Sequence, residues 1–158
     1  MRAVKFTPQI SAETIAEALL ARFAANGFTM SNLKLQKLLY YVQGHHLATH
    51  GQRAFIDSIK AWAHGPVVPA VYHRYKGFSW NDIFDIPTAP ELPPEVSATV
   101  DLVLERYGSF TAFELEEMTH AETPWVCARK GIPLGAPASP EMLVGVIKDH
   151  FLRVAVVE

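Results

Sequence analysis

The sequence predicts a mainly α fold. It reads as one compact bundle of about six helices over residues 1–158, with a small two- or three-stranded sheet near residues 55–63 and 151–157. Three observations lead there. Apolar residues recur at helical spacing through most of the chain, in runs opened by capping residues and often closed by glycine. In the middle of the chain only one short segment alternates apolar and polar side chains. The 158 residues, 49% of them hydrophobic, make one domain of ordinary size. Such a domain hides about two thirds of the surface that its unfolded chain exposes, so it needs neither metal nor disulfide to fold.

Ser11 opens a helix to about Asn26 in which Ile15, Leu19, Leu20 and Phe23 form one stripe, and Asn26-Gly27 stops it. Ser31 or Asn32 caps a second helix from Leu33 to about His50, with Leu35, Leu38, Leu39, Val42 and His46 in register and Gly51 at its end. Ile59, Ala61 and Ala63 alternate with Lys60, Trp62 and His64, which suits a short strand. Gly65 breaks that strand, and Pro66 then begins a helix through Val67, Val71 and Tyr75, with Pro69 also in its first turn. Four prolines between Asp85 and Glu95 make a loop. A helix from Pro94 or Glu95 to Tyr107 follows, and Thr111 and Glu114 then form a capping box for the helix Ala112 to about His120. Pro124 starts a short helix to Lys130, and Gly131 to Pro140 is a second loop. Ser139-Pro140-Glu141 starts a last helix to about His150. Phe151 to Val157 is rich in valine and reads as a strand that pairs near Trp62.

Charge is unevenly spread. Residues 1–80 carry nine basic and three acidic side chains, and residues 81–158 carry five and thirteen, so a net charge of −2 hides halves of +6 and −8. The halves either complement each other or present a surface to a charged partner. A single cysteine, Cys127, forms no internal disulfide and fits a reducing, cytoplasmic setting as a buried structural thiol. No apolar run reaches the length of a membrane span and the amino terminus lacks the pattern of a secretory signal, so the sequence points to no membrane partner.

Familiar catalytic signatures do not occur: there is no phosphate-binding Gly-rich loop, no His-Glu-x-x-His helix and no Gly-x-Ser-x-Gly elbow. The reading is therefore of a non-enzyme without cofactor or metal. One alternative is a metal-dependent hydrolase on His46 and His50, which stand four apart beside His45, although zinc needs a third converging ligand. The other is a DNA-binding regulator using Lys34, Lys37 and the Tyr40-Tyr41 pair. A pI of about 6.4 argues against nucleic acid and for tyrosines that pack inward.

Three segments taken together carry a resemblance. They are Leu33 to Tyr41 with Gly44 and His46, Ala61-Trp62 with Gly65-Pro66 through Tyr72, and Leu115 through Thr119-His120 to Pro124-Trp125. In this order and spacing, across roughly residues 10–130, the chain resembles the Panacea domain, also described as SocA-like or GepA-like. The resemblance implies a largely helical antitoxin, often prophage-associated, that neutralises a cognate protein toxin by direct contact. In some members it implies a proteolytic adaptor that delivers the toxin to an AAA+ protease such as ClpXP. Self-association is left open. Physically, Gly65, Pro66, Thr119, His120, Pro124 and Trp125 read as motif and fold determinants. The functional reading puts Trp62, His64 and Tyr72 beside Lys37 and Tyr41 in an aromatic and basic partner-binding patch, with Lys34 nearby, flanked by the loops Gly77 to Pro93 and Gly131 to Pro140.

Overall fold

The computed structural model describes residues 9–157, with side chains placed as far as residue 154; residues 1–8 of the expected domain lie outside the described residues. Helix α1 (Ala12–Ala25) is capped by the Ser11 side chain, which accepts from the Thr14 N–H. Helix α2 (Asn32–His50) is capped in the same way by Ser31, and its end is turned by Gly51 at φ 70°. Both caps satisfy an amide that the first helical turn leaves without a partner. A two-stranded antiparallel hairpin follows, β1 (Lys60–Trp62) and β2 (Gly65–Val67), then α3 (Pro69–Tyr75) and a 3-10 turn (Lys76–Phe78). Helices α4 (Pro94–Tyr107), α5 (Ala112–His120), α6 (Thr123–Ala128) and α7 (Val144–Val157) complete the bundle. Thr111 and Glu114 form the expected reciprocal capping box of α5.

Helix α2 is the axis of the molecule, with α1, α3, α4, α5, β2 and α7 all packed on it. Its apolar side chains Leu35, Leu38, Leu39, Val42 and Leu47 are buried, and so are Gln36, Lys37, Gln43, His45 and His46. Each of these polar groups has a partner in another element. Gln36 Oε1 accepts from the Val68 N–H, Gln43 Oε1 accepts from the Ala54 N–H at 2.7 Å, and His46 Nδ1 lies 2.8 Å from Thr99 Oγ1. Tyr41 stacks on Tyr107 of α4 at 4.0 Å between ring centroids. Burying an aromatic ring stabilises by about 1.5–3 kcal/mol, so these contacts join α4 to α2 as firmly as the aliphatic residues do. Helix α7 seats Phe151 against bare backbone at Gly44, where a Cβ would overlap the ring.

Three expectations about elements are corrected. Pro66 does not begin a helix; it lies in β2, opposite Ala61. Ala61 directs its N–H to the Pro140 carbonyl and its own carbonyl to Arg129, away from β2, so nothing in β1 calls for the N–H that Pro66 lacks. Helix α3 instead starts at Pro69, where a missing donor is equally harmless. The tail is not a strand. No glycine or proline interrupts α7 after Gly145, and Ile147 and Phe151, four apart, are buried in the core, which outweighs the β propensity of its valines. The last helix starts at Val144 and not near Pro140, because the Met142 N–H is taken by the Ile59 carbonyl and Lys60 bridges to Glu141. Residues 140–142 therefore give the hairpin the third edge that was expected from the tail.

No helix among the described residues is long and apolar enough to cross a membrane. Cys127, expected to be buried, is exposed: the short α6 turns Pro124 and Trp125 inward and Cys127 outward.

Candidate functional site

The three sequence segments singled out above meet at the β1–β2 hairpin. Lys37, fully buried on α2, donates from Nζ to the Pro66 carbonyl at 3.2 Å. Trp125 of α6 donates from Nε1 to the Trp62 carbonyl at 2.9 Å, and Arg129 donates to the Ala61 carbonyl at 2.9 Å. Gly65 sits at φ 111°, and a Cβ there would lie 2.7 Å from Lys37 Cε and 3.0 Å from Thr119 Oγ1. Only glycine meets both demands without strain. Thr119 is itself buried and donates to the Glu116 carbonyl. His120 stacks on Trp125 at 4.0 Å. Pro124 is buried in the first turn of α6. Gly65, Pro66, Thr119, His120, Pro124 and Trp125 thus clamp the hairpin onto α2.

The electrostatics under the hairpin follow from burial. Desolvation pushes the Lys37 amine down to about 7, only partly offset by the Glu116 carboxylate. The Glu116 carboxylate meets His64 Nδ1 at 2.7 Å on the surface side. Burial also lowers His120, whose Nε2 has no hydrogen-bond partner among the described residues and stands 4.0 Å from Glu116 Oε1. Next to the clamp, Glu122 accepts from the Tyr40 and Tyr41 hydroxyls, each at 2.9 Å. Burial raises it to about 7 although both hydroxyls favour its charged form.

The outer side of the hairpin lines a cleft of 670 Å³. Trp62, His64 and Tyr72, three of the expected partner-binding residues, line it together, with the Trp62 and Tyr72 rings edge to face at 5.0 Å. Both anticipated loops reach it, one through Ser79 and Trp80 and the other through Gly135, Pro137, Ala138 and Ser139. Trp62 is held in place by its Nε1 donating to Ser139 Oγ at 2.9 Å.

Lys37 and Tyr41 do not join this surface, contrary to the expected patch. Both lie inside the bundle, because α2 is packed on all sides and keeps no outward stripe for its cations and rings. Lys34 lies elsewhere too, donating to the Gly108 carbonyl at 2.6 Å beside Phe23. Trp80, 84% exposed, and Lys76 on the cleft wall were missed from the sequence. The available signal was a large aromatic between turn-forming residues, Gly77 and Ser79 before it, Asn81 and Asp82 after it.

The histidine pair does come together, with ring centroids of His46 and His50 4.6 Å apart. His46 is engaged by Thr99, and burial together with the neighbouring His50 lowers its pKa to about 4. Among the described residues no three His, Cys, Asp or Glu side chains converge on one point as a metal centre requires.

The clamp is built from residues spread over 37–129, and residues 35–126 match the family model described as Antitoxin SocA-like, Panacea domain. The chain belongs to this family. The Panacea segment takes in Lys37, the hairpin, Thr119 and Trp125, while the cleft wall at 135–139 lies beyond it. Antitoxin SocA of Caulobacter vibrioides (strain NA1000 / CB15N) is 28% identical over 155 residues, covering 90% of this chain and 82% of that protein. No solved structure matches the chain.

Proposed function

We propose that this Panacea-domain protein is the antitoxin of a bacterial toxin–antitoxin system, acting in the cytoplasm by stoichiometric contact with a cognate protein toxin and without catalysis of its own. The observation that carries the reading is the family match over the segment that builds the clamp and presents the hairpin. The clamp fixes the hairpin's geometry in advance, and a surface ordered before encounter loses less entropy on binding. The same contact serves a proteolytic adaptor that hands the toxin to an AAA+ protease such as ClpXP. The strongly acidic residues 81–158 supply a second, dissimilar side for such a partner.

Co-expression tests this directly. The product of the adjoining reading frame, expressed alone, should arrest growth, and the present chain should restore growth and co-purify with that product. Rescue without a complex would overturn direct contact, and no rescue would overturn the antitoxin reading. Delivery predicts that the chain shortens the toxin's half-life in cells with ClpXP and not in cells lacking it.

A further inference from the structure

We propose that the cleft beneath Trp80 is where the toxin docks, and that its occupant is a toxin surface segment with a large apolar side chain and a neighbouring carboxylate. This rests on the antitoxin reading above and adds to it a place and a partner chemistry.

The backbone around the cleft excludes the commonest way of holding an extended segment, addition of a strand to a sheet edge. On β2, Pro66 has no N–H and its carbonyl is taken by Lys37. Val67 is paired across the hairpin with Lys60, and the amide beyond it, Val68, is taken by Gln36. Beyond β1, the Ala61 and Met142 amides are already bonded between β1 and residues 140–142. Recognition at this hairpin must therefore pass through side chains.

The side chains on offer are apolar. The polar floor of the cleft is satisfied within the chain: Asn32 Nδ2 donates to the Tyr72 carbonyl, Asn32 Oδ1 accepts from Gln36 Nε2, and Gln36 Oε1 accepts from Val68. An occupant can displace water there without stranding a buried polar group. Trp62 and Tyr72 stand as a fixed aromatic wall, and Trp80 projects at the rim with most of its surface in water. Fixed tryptophan and tyrosine in a recess that an occupant would close to water are the composition of binding hot spots.

Charge selects the rest of the occupant. Among the described residues, the basic groups lining the cleft are Lys76 and His64, and no carboxylate lines it. His64 is already paired with Glu116, whereas Lys76 is exposed and enters none of the ion pairs among the described residues. The complementary group is a carboxylate beside the apolar anchor.

The test measures the affinity of the purified full-length chain for the co-expressed toxin. The variants are Trp80→Ala and Lys76→Glu, with Phe113→Ala as a control that removes an exposed ring of α5 outside the cleft. All three positions are at the surface, and matching thermal melts verify the fold. Trp80→Ala should weaken binding about 30-fold or more, Lys76→Glu about 10-fold with reduced salt dependence, and Phe113→Ala less than about 3-fold. Wild-type affinity in Trp80→Ala would overturn the docking site while leaving the antitoxin reading intact. Wild-type affinity in Lys76→Glu would overturn the carboxylate. A dimer of the chain alone that Trp80→Ala dissolves would overturn the toxin as occupant in favour of a second copy. A wild-type chain that rescues growth yet binds no toxin would overturn direct contact and this docking site together, whereas failure to rescue would overturn the antitoxin reading itself.

Discussion

Replacing Lys37 with methionine isolates the energetics of the clamp. In the folded chain burial holds the amine at about 7, against an ordinary value of 10.5. Between those two values the unfolded chain binds the proton and the folded chain does not, so this group makes stability rise with pH across that window and contributes no slope below it. From pH 7 to pH 9 the linkage relation gives a gain of about 2 kcal/mol for these two pKa values, since one unit is worth 1.36 kcal/mol and the folded group is half-titrated at the start. The variant also strips the Pro66 carbonyl of its donor, an offset of about 1–3 kcal/mol that does not vary with pH. Urea unfolding of the native and Lys37→Met proteins at pH 6, 7, 8 and 9 measures both quantities, and subtracting the curves removes the titrating groups that Lys37 does not touch electrostatically, leaving Lys37 with its neighbours Glu116 and His120. The difference between native protein and variant should shift by about 2 kcal/mol in favour of the native protein from pH 7 to pH 9 and be nearly level between pH 6 and the start of the window. Parallel curves across the whole range would refute the argument that Lys37 is desolvated under the hairpin.

Two further outcomes follow from packing. Gly44→Ala should destabilise by about 3 kcal/mol by driving a methyl into the Phe151 ring, and Phe151→Ala by about 3–5 kcal/mol; the double variant should cost at least about 1 kcal/mol less than their sum, read from thermal or urea melts as a double-mutant cycle. Cys127 should react completely with a thiol reagent in the native protein without denaturant, and protection until unfolding would contradict its exposure on α6.

The parts of the fold legible in the sequence are those set by local chemistry. Ser11, Ser31 and the Thr111–Glu114 box open their helices by bonding amides within three residues, so the sequence around each was enough. Pro66 and the valine-rich tail were misread because their conformations are decided at a distance: Pro66 by an Ala61 that bonds elsewhere, the tail by the fit of Phe151 against Gly44. At the site, the motif residues were legible as a group, and Trp62, His64 and Tyr72 do share one surface. Lys37 and Tyr41 were assigned to it for their charge and ring, the composition of a binding hot spot, although the structure buries both. The contrary sign was in α2 itself, whose run from Leu33 to Val42 leaves no continuous polar face. A helix without a wet side is a helix surrounded by neighbours.

That enclosure gives α2 only one acceptable seat. Its polar groups are matched one by one to different neighbours: Gln36 to Val68, Lys37 to Pro66, Tyr40 and Tyr41 to Glu122, Gln43 to Ala54 and Phe55, and His46 to Thr99. A helix of leucines can slide by a turn and find nearly equivalent holes, whereas sliding α2 would orphan most of these groups at once. At about 1–3 kcal/mol for each orphan, several together cost an amount comparable to the 5–15 kcal/mol that separates most folded domains from unfolded ones. The mispacked alternative thus forfeits most or all of the stability of an ordinary domain, and the chain is committed to a single arrangement before any partner arrives.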